Sequence, residues 1–425
     1  MSGPTGSAGL NTLSVSNFGA SELAGSRAHD RDAFGRARVS DVDTVFASKL
    51  LGDSQPIFWD DQETSGSGTA SAHSSARASS TLSVSNATAG ARVRQTRRHI
   101  QYQPGKSQHV MMTYVLGEAA AGIVRRVGQF NEGNGAYIEQ NGADEVNIVI
   151  RSSVSGSPVE TKVEQSDWNQ DSLDGTGPSG ETLDLSKLQV FGFDYQWLGG
   201  GRVRFGFWFG EKFVEAHHAF HANLLDSVWM STPNLPLRYE LSNDGTGPAA
   251  TLEAICATVA SEGGQERTGI VRTIDRGIAG FATKNDTAIY PIIAIRLGSG
   301  HLGAQVRPVG VSMLSAAAAD YRWILTLNPT ITGDALSFSP LANSGVEVQT
   351  DTDNATTITD EGVVLASGYQ RQTSSSLGGF FLGPPTEFRL GSLIDGTSDV
   401  MVLAVQNLSS GSETYFGSFA FMESH

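Results

Sequence analysis

Between Val203 and Phe209 the side chains alternate: Val203, Phe205, Phe207 and Phe209 fall on one parity, and Arg202, Arg204 and Trp208 on the other. Such alternation specifies a strand with one face against a core. Gly199-Gly200-Gly201 separates this run from Val190 to Trp197, and Gly210-Glu211-Lys212 separates it from Phe213 to Phe220. The spacing predicts a three-strand antiparallel meander at the middle of a β-sandwich. The stretch Gln189 to Leu241 holds Trp197, Trp208 and Trp229, half of the chain's six tryptophans.

A chain of 425 residues exceeds one ordinary core. Its 49 glycines, with abundant Ser, Thr, Ala and Asn, imply many turns between short strands. The expected fold is all-β: a jelly-roll-like β-sandwich domain with an extended N-terminal arm and a second β-rich C-terminal domain. The expected boundaries are 1–60 for arm and lead-in, 61–265 for the sandwich and 266–425 for the second domain. The arm is small and polar over its first thirty residues, with a short β-like piece at Ala37 to Val39. Gln62 to Ser79 reads as a low-complexity loop, and Ser312 to Ala319 as a short helix. Thr12-Leu-Ser-Val-Ser-Asn17 recurs at Thr81 to Asn86, which reads as reuse of a favourable strand sequence.

The net charge of −15 argues against general nucleic-acid binding, which needs a basic footprint. No apolar run is long enough to span a bilayer, and the N-terminus has neither a basic start nor an apolar h-region, so neither membrane association nor a signal peptide is expected. The single cysteine, Cys256, excludes an intrachain disulfide and is expected to be a buried thiol.

Three motifs bear on chemistry. Gly298-Ser-Gly300-His-Leu-Gly303 has the G-x-G-x-x-G spacing, but the next residues, Ala304 to Val311 with Pro308, read as a strand where a dinucleotide site needs a helix. His217 and His221 share parity on a strand but stand about 13 Å apart, too far to chelate one zinc ion. Asp167, Asn169, Asp171 and Asp174 have calcium-loop spacing, yet Ser172 takes the sixth place and Pro178 the twelfth, so a solvated turn and an irregular calcium site both stay open. No cofactor is expected, no residue is nominated as catalytic, and the chain is read as a non-enzyme.

Arg92, Arg94, Arg97, Arg98, Arg125 and Arg126 form the one basic concentration. Either they pair with acids of the same chain or they dock an acidic neighbour. Arg92, Arg94, Arg97, Arg98, Arg202, Arg204 and Trp208 are therefore candidate subunit contacts, and Trp168 and Trp229 candidate glycan contacts.

Several longer blocks resemble those of tailed-bacteriophage virion proteins: Asp32-Ala-Phe-Gly-Arg-Ala-Arg-Val-Ser40, Gln55-Pro-Ile-Phe-Trp-Asp60, Arg94-Gln-Thr96, Tyr102-Gln-Pro-Gly-Lys-Ser107, Arg126-Val-Gly-Gln-Phe130, Gln196-Trp-Leu-Gly-Gly-Gly-Arg-Val-Arg-Phe-Gly206 and Thr232-Pro-Asn-Leu-Pro-Leu-Arg-Tyr239. The resemblance implies a homotrimeric fibre or spike on capsid or tail, made in host cytoplasm and carried in the virion. Its partners would be itself, other virion proteins and a host-surface glycan, with no nucleic acid and no membrane. A capsid decoration protein and a polysaccharide depolymerase are the alternatives. It carries over no active-site residue.

Overall fold

The computed structural model describes residues 42–142, 145–264, 269–372, 380–381 and 388–424. The expected arm, including Ala37 to Val39, lies outside them.

Alternating side chains and glycine-marked turns give the first body fifteen strands among the described residues. In chain order they are β1 (Val42–Lys49), β2 (Trp59–Gly66), β3 (Thr69–Ser74), β4 (Ser79–Val84), β5 (Gly90–Thr96), β6 (Gln108–Val115), β7 (Ile123–Phe130) and β8 (Gly135–Asn141). There follow β9 (Glu145–Ser152), β10 (Val159–Glu164), β11 (Gln189–Tyr195), β12 (Val203–Phe209), β13 (Lys212–Ala219), β14 (Leu237–Asn243) and β15 (Ala250–Glu262). They make two sheets, ordered β13-β12-β11-β6-β15-β4-β3, with β1 also on β15, and β10-β9-β8-β7-β14-β5-β2. Inner-face residues of both sheets meet in one aromatic-rich core, in which Phe191 packs 5.1 Å from Phe207 and Phe193 5.5 Å from Phe205. The chain is an all-β, jelly-roll-like sandwich followed by further β structure.

The meander forms as β11-β12-β13, with Phe191 opposite Phe207 and Phe193 opposite Phe205. It does not occupy the middle of the sandwich. β13 ends its sheet, because beyond it the chain turns into the loop 220–229 instead of another strand. The Gln62 to Ser79 stretch is not a loop either. β2 and β3 extend through it in opposite sheets, and β3 pairs with β4, since short Ser, Thr and Ala side chains suit end strands whose outer side is wet.

Residues 270–424 build two further sheets around a second core that includes Ile293, Ile295, Leu403 and Phe419. The expected helix at Ser312 is a strand, Gln305–Ser315, paired along Thr414–Ser424. Val311 and Met313 are buried on alternate positions, and the run Ala316 to Ala319 buries too little to hold a helix against that pairing. Cys256 is half-buried, at an irregularity where β15 shifts register between Ala254 and Ala257.

A cleft at the open end of the sandwich

β10 and β13 end their respective sheets, and the sandwich gapes between them. The cleft measures about 860 Å³. Its floor is the inner face of β9 and β10, where period-two alternation places Ile148 and Ile150 beside Val159, Thr161 and Val163. Its far wall is the end of β13 and the loop after it, with Phe220, Leu224, Leu225, Val228 and Trp229. Leu224 is 70% exposed and Phe220 53%. Val154, Val159, Leu225 and Val228 are exposed as well. Clustered exposure of this kind marks a surface that meets something apolar.

The wall is positioned by local chemistry. A bulge between Phe205 and Gly206 in the β12–β13 register gives β13 one extra residue, Ala216, so that His217 turns inward opposite Phe205 while Glu215 and His218 share the outer face. Downstream, the His221 ring lies parallel to Trp229 at 4.7 Å, and its Nδ1 meets the Gly201 carbonyl at 2.5 Å. Trp229 N–H donates to the Gly199 carbonyl at 2.9 Å, and Gly199 has a φ of +77°, a conformation that glycine adopts without a Cβ clash. Leu224 and Leu225 N–H both donate to the His221 carbonyl, closing the turn that lifts the two leucines into the open.

Asn169 stitches the polar side of the cleft. Its backbone N–H donates to His217 Nδ1 at 3.3 Å, its Nδ2 to the His218 carbonyl at 2.8 Å, and its Oδ1 accepts from His218 N–H at 2.9 Å. His217 Nδ1 must therefore be an unprotonated acceptor. Burial, aided by neighbouring His218, moves the His217 pKa down to about 4. Burial also lowers His221, partly offset by the Gly201 carbonyl. Among the described residues no aspartate or glutamate lines the cleft.

The arginines and tryptophans singled out from sequence lie elsewhere or deeper. Arg94, 1% exposed, reaches the Ser54 carbonyl and lies over Trp59, 4.9 Å from its centroid. Arg92 pairs with Asp61 at 2.5 Å, Arg97 pairs with Asp399 of the second body at 2.5 Å, and Arg98 donates to the Val45 carbonyl. Arg204 is buried between Asp194, which it grips through both Nε and Nη2, and Glu215 at 3.0 Å. Arg202 is half-buried, and Trp208 packs 4.4 Å from Phe213. The reading of Arg94 and Arg204 as subunit contacts is thereby corrected: acids of the same chain and the core bury them. Trp168 is 6% exposed, stacked on Phe207, with its Nε1–H bonded to the Val163 carbonyl. Trp229 is 3% exposed. Neither offers a ring face to a glycan in solution. The exposed ring at the cleft is Phe220, which its sequence pattern places at the end of a strand.

The Asp171 and Asp174 carboxylates are taken up by nearby backbone N–H and hydroxyl groups. Asp171 accepts Leu173 N–H and Ser179 N–H, and Asp174 accepts Thr176 N–H and Ser172 Oγ–H. Among the described residues no group of three or more His, Cys, Asp and Glu is placed to hold a metal ion. The glycine motif forms a short 3₁₀ turn, Ser299–His301, and runs into the strand Gln305–Ser315, without the helix a pyrophosphate would need.

No family model matches the chain, and no curated protein matches it. Among solved structures it is similar to a β-glucanase of Bacillus licheniformis, at 11% identity and a TM-score of 0.33 over 51% of this chain and 97% of that one. It is similar to a family 16 endo-glucanase of Bacteroides ovatus, at 7% identity and 0.34 over 50% and 99%. It is also similar to the CBM2 module of the evolved Dit of Lactobacillus casei BL23 phage J-1, at 7% identity and 0.35 over 53% and 99%. Likeness at this level carries no argument about activity. The expected membership of a tailed-phage virion family is corrected: no family model and no curated protein matches the chain. The fibre, spike and decoration roles inferred from it fall with it. The flat expectation of a non-enzyme is withdrawn as well, and no activity is assigned in its place. No helix among the described residues is long and apolar enough to cross a membrane.

Proposed function

We propose that the first sandwich is a recognition module and that the cleft between β10 and β13 is its binding site. One observation carries this reading: an aliphatic floor, a wall of exposed Leu, Val and Phe, and a rim of neutral hydrogen-bonding groups converge on one concavity large enough for a ligand. Ile148, Ile150, Val159 and Val163 suit an extended ligand whose side groups are apolar on one face. The rim of His217, Asn169, Ser152 and Ser155 supplies a few orienting hydrogen bonds. A peptide with alternating apolar residues meets these requirements best.

Glycan contact is the second reading, and the exposed Phe220 ring favours it: the C–H face of a pyranose packs on such a ring while the rim takes its hydroxyls. Isothermal titration with an alternating Leu/Ser/Val peptide and with cello- and laminari-oligosaccharides separates the two. The first reading expects peptide binding that drops at least tenfold in Ile150→Glu. Saturable oligosaccharide binding lost in Phe220→Ala, with no peptide binding, replaces it with the second. No binding of either class sinks the site.

A further inference from the structure

We propose that the pocket between the two bodies, formed around the glycine motif 298–303, is a ligand site of its own and takes a single neutral sugar ring. The pocket measures about 360 Å³, near the lower end of ligand-pocket sizes. It stands apart from the cleft, since no residue lines both. The inference therefore does not rest on the cleft reading.

Both bodies contribute to it. The first supplies His99 from the segment after β5, Asn131 from the β7–β8 turn, and Thr232 and Asn234 from the segment before β14. The second supplies the motif's own turn from Ser299 to Ala304. The seam beside the pocket is polar: Gln305 Nε2–H donates to the His99 carbonyl at 2.6 Å, and Ser392 N–H donates to the Arg97 carbonyl at 2.8 Å. Junctions between bodies of one chain are a preferred place for small-ligand pockets.

The lining holds donors that the chain does not spend. Asn131 Oδ1 accepts Gly133 N–H at 2.9 Å and Asn134 N–H at 2.8 Å, which fixes the amide, while its Nδ2 has no partner among the described residues. Thr232 Oγ1 accepts Asn234 N–H at 3.2 Å and keeps its own proton to donate. Asn234 Oδ1 accepts Tyr102 N–H at 3.0 Å, and its Nδ2 reaches the Gly303 carbonyl only at 3.5 Å. His99 is 8% exposed, and its Nδ1 has no hydrogen-bond partner. Buried polar atoms are nearly always paired, so an unpaired one in a pocket wall points to a partner from outside the chain. No Asp, Glu, Lys or Arg lines the pocket, and burial holds the His99 pKa at about 4, so its imidazole is neutral at pH 7. Neutral donors without a cation suit hydroxyl and ring oxygens better than a phosphate or carboxylate, which call for Arg or Lys. Leu302 and Ala304 offer the C–H face of a ring an apolar rest.

The test titrates methyl glucoside, methyl galactoside and methyl N-acetylglucosaminide into the full chain by calorimetry, with sodium acetate as the anionic control. Two variants probe the pocket. Asn131→Asp keeps the Oδ1 acceptor for Gly133 and Asn134 and removes the Nδ2 donor. Gly300→Phe places a ring in the pocket, and the fold tolerates it: Gly300 has no positive φ, and a Cβ there would meet nothing within 4 Å. The expected result is saturable binding of at least one glycoside, weakened about tenfold or more in Asn131→Asp, lost in Gly300→Phe and unchanged in Phe220→Ala. Binding of no glycoside, or of acetate in their place, overturns the proposal. So does glycoside binding that is equal in the wild type and both pocket variants. Binding lost in Phe220→Ala but kept in Gly300→Phe also overturns it, and moves the sugar to the cleft. Circular dichroism and urea midpoints are recorded for each variant, and should Gly300→Phe fail to fold, Asn131→Asp decides alone.

Discussion

The two ends of the first sandwich are built differently. At one end β2 and β3, the last strands of opposite sheets, are joined by the two-residue turn Ser67-Gly68. Ser71 Oγ–H donates to Asp61 at 2.6 Å across it, Asp61 pairs in turn with Arg92, and Thr69 N–H and Oγ–H both reach Glu63. The sheets are zipped there by polar side chains, and Arg94 closes the floor beneath them. At the other end the loop 165–188, which leads from β10 to β11, reaches β13 through contacts of Asn169, Gln170 and Asp171, which tie one side while the aliphatic floor stays open. The same two sheets can thus be closed by a short turn and bridging polar side chains. Exposure of Leu224, Leu225 and Val159 is a property of one end, not a requirement of the fold.

The comparison can be broken by substitution. The largest effect is expected at the closed end: Asp61→Ala leaves the buried Arg94 without its acid and should lower stability by about 3 kcal/mol in urea denaturation. A loss under about 1 kcal/mol would mean that the zipper is ornamental. At the open end the expected effect depends on pH. His217 has a folded-state pKa near 4 against its ordinary 6.5, so above pH 6.5 both states are neutral and no difference arises. As pH falls from 6.5 to 4 the unfolded chain takes up a proton that the folded chain refuses, and stability declines, by roughly 2 kcal/mol for this group. His99, also held near 4 by burial, titrates in the same window. The measurement is therefore the difference between wild type and His217→Gln at pH 7.0 and pH 4.5, and the variant should be the less acid-sensitive. Equal acid sensitivity would remove the Asn169–His217 bond as a fastener. The smallest effect sharpens the contrast: Leu224→Ser/Leu225→Ser should change stability by no more than about 0.5 kcal/mol, since the folded state already exposes both. The same variant should bind ANS less strongly than wild type.

Strand identity was legible wherever one face met the core. Val203 to Phe209, and Asn147 to Ser152 in β9, alternate because a two-residue period is the only one that keeps a face dry. β10 went unread. Val-Glu-Thr-Lys-Val-Glu alternates weakly, and an end strand has little buried face to advertise. The cleft was illegible for a related reason: its floor, rim and wall come from 148–163, 169 and 217–229, which only the stacking of two sheets brings together. The arginines misled because a surplus of acid along the chain does not reveal whether a given guanidinium finds its partner at home. In β12 and β14 it does, with Arg204 on Asp194 and Arg238 on Glu240 and Glu132.

Local patterning by itself determined the all-β character, the β11-β12-β13 meander and the inward set Phe205 and Phe207, because pleat and burial are properties of neighbouring residues. Tertiary structure alone decided that this meander ends a sheet. It also decided that Arg204 and Trp168 are buried, and that the outward residues which matter are Phe220, Leu224 and Leu225. Which strand stands at an edge, and which loop folds back over it, depends on pairings between residues far apart in the chain, and the alternation of a strand is the same at the centre of a sheet as at its rim.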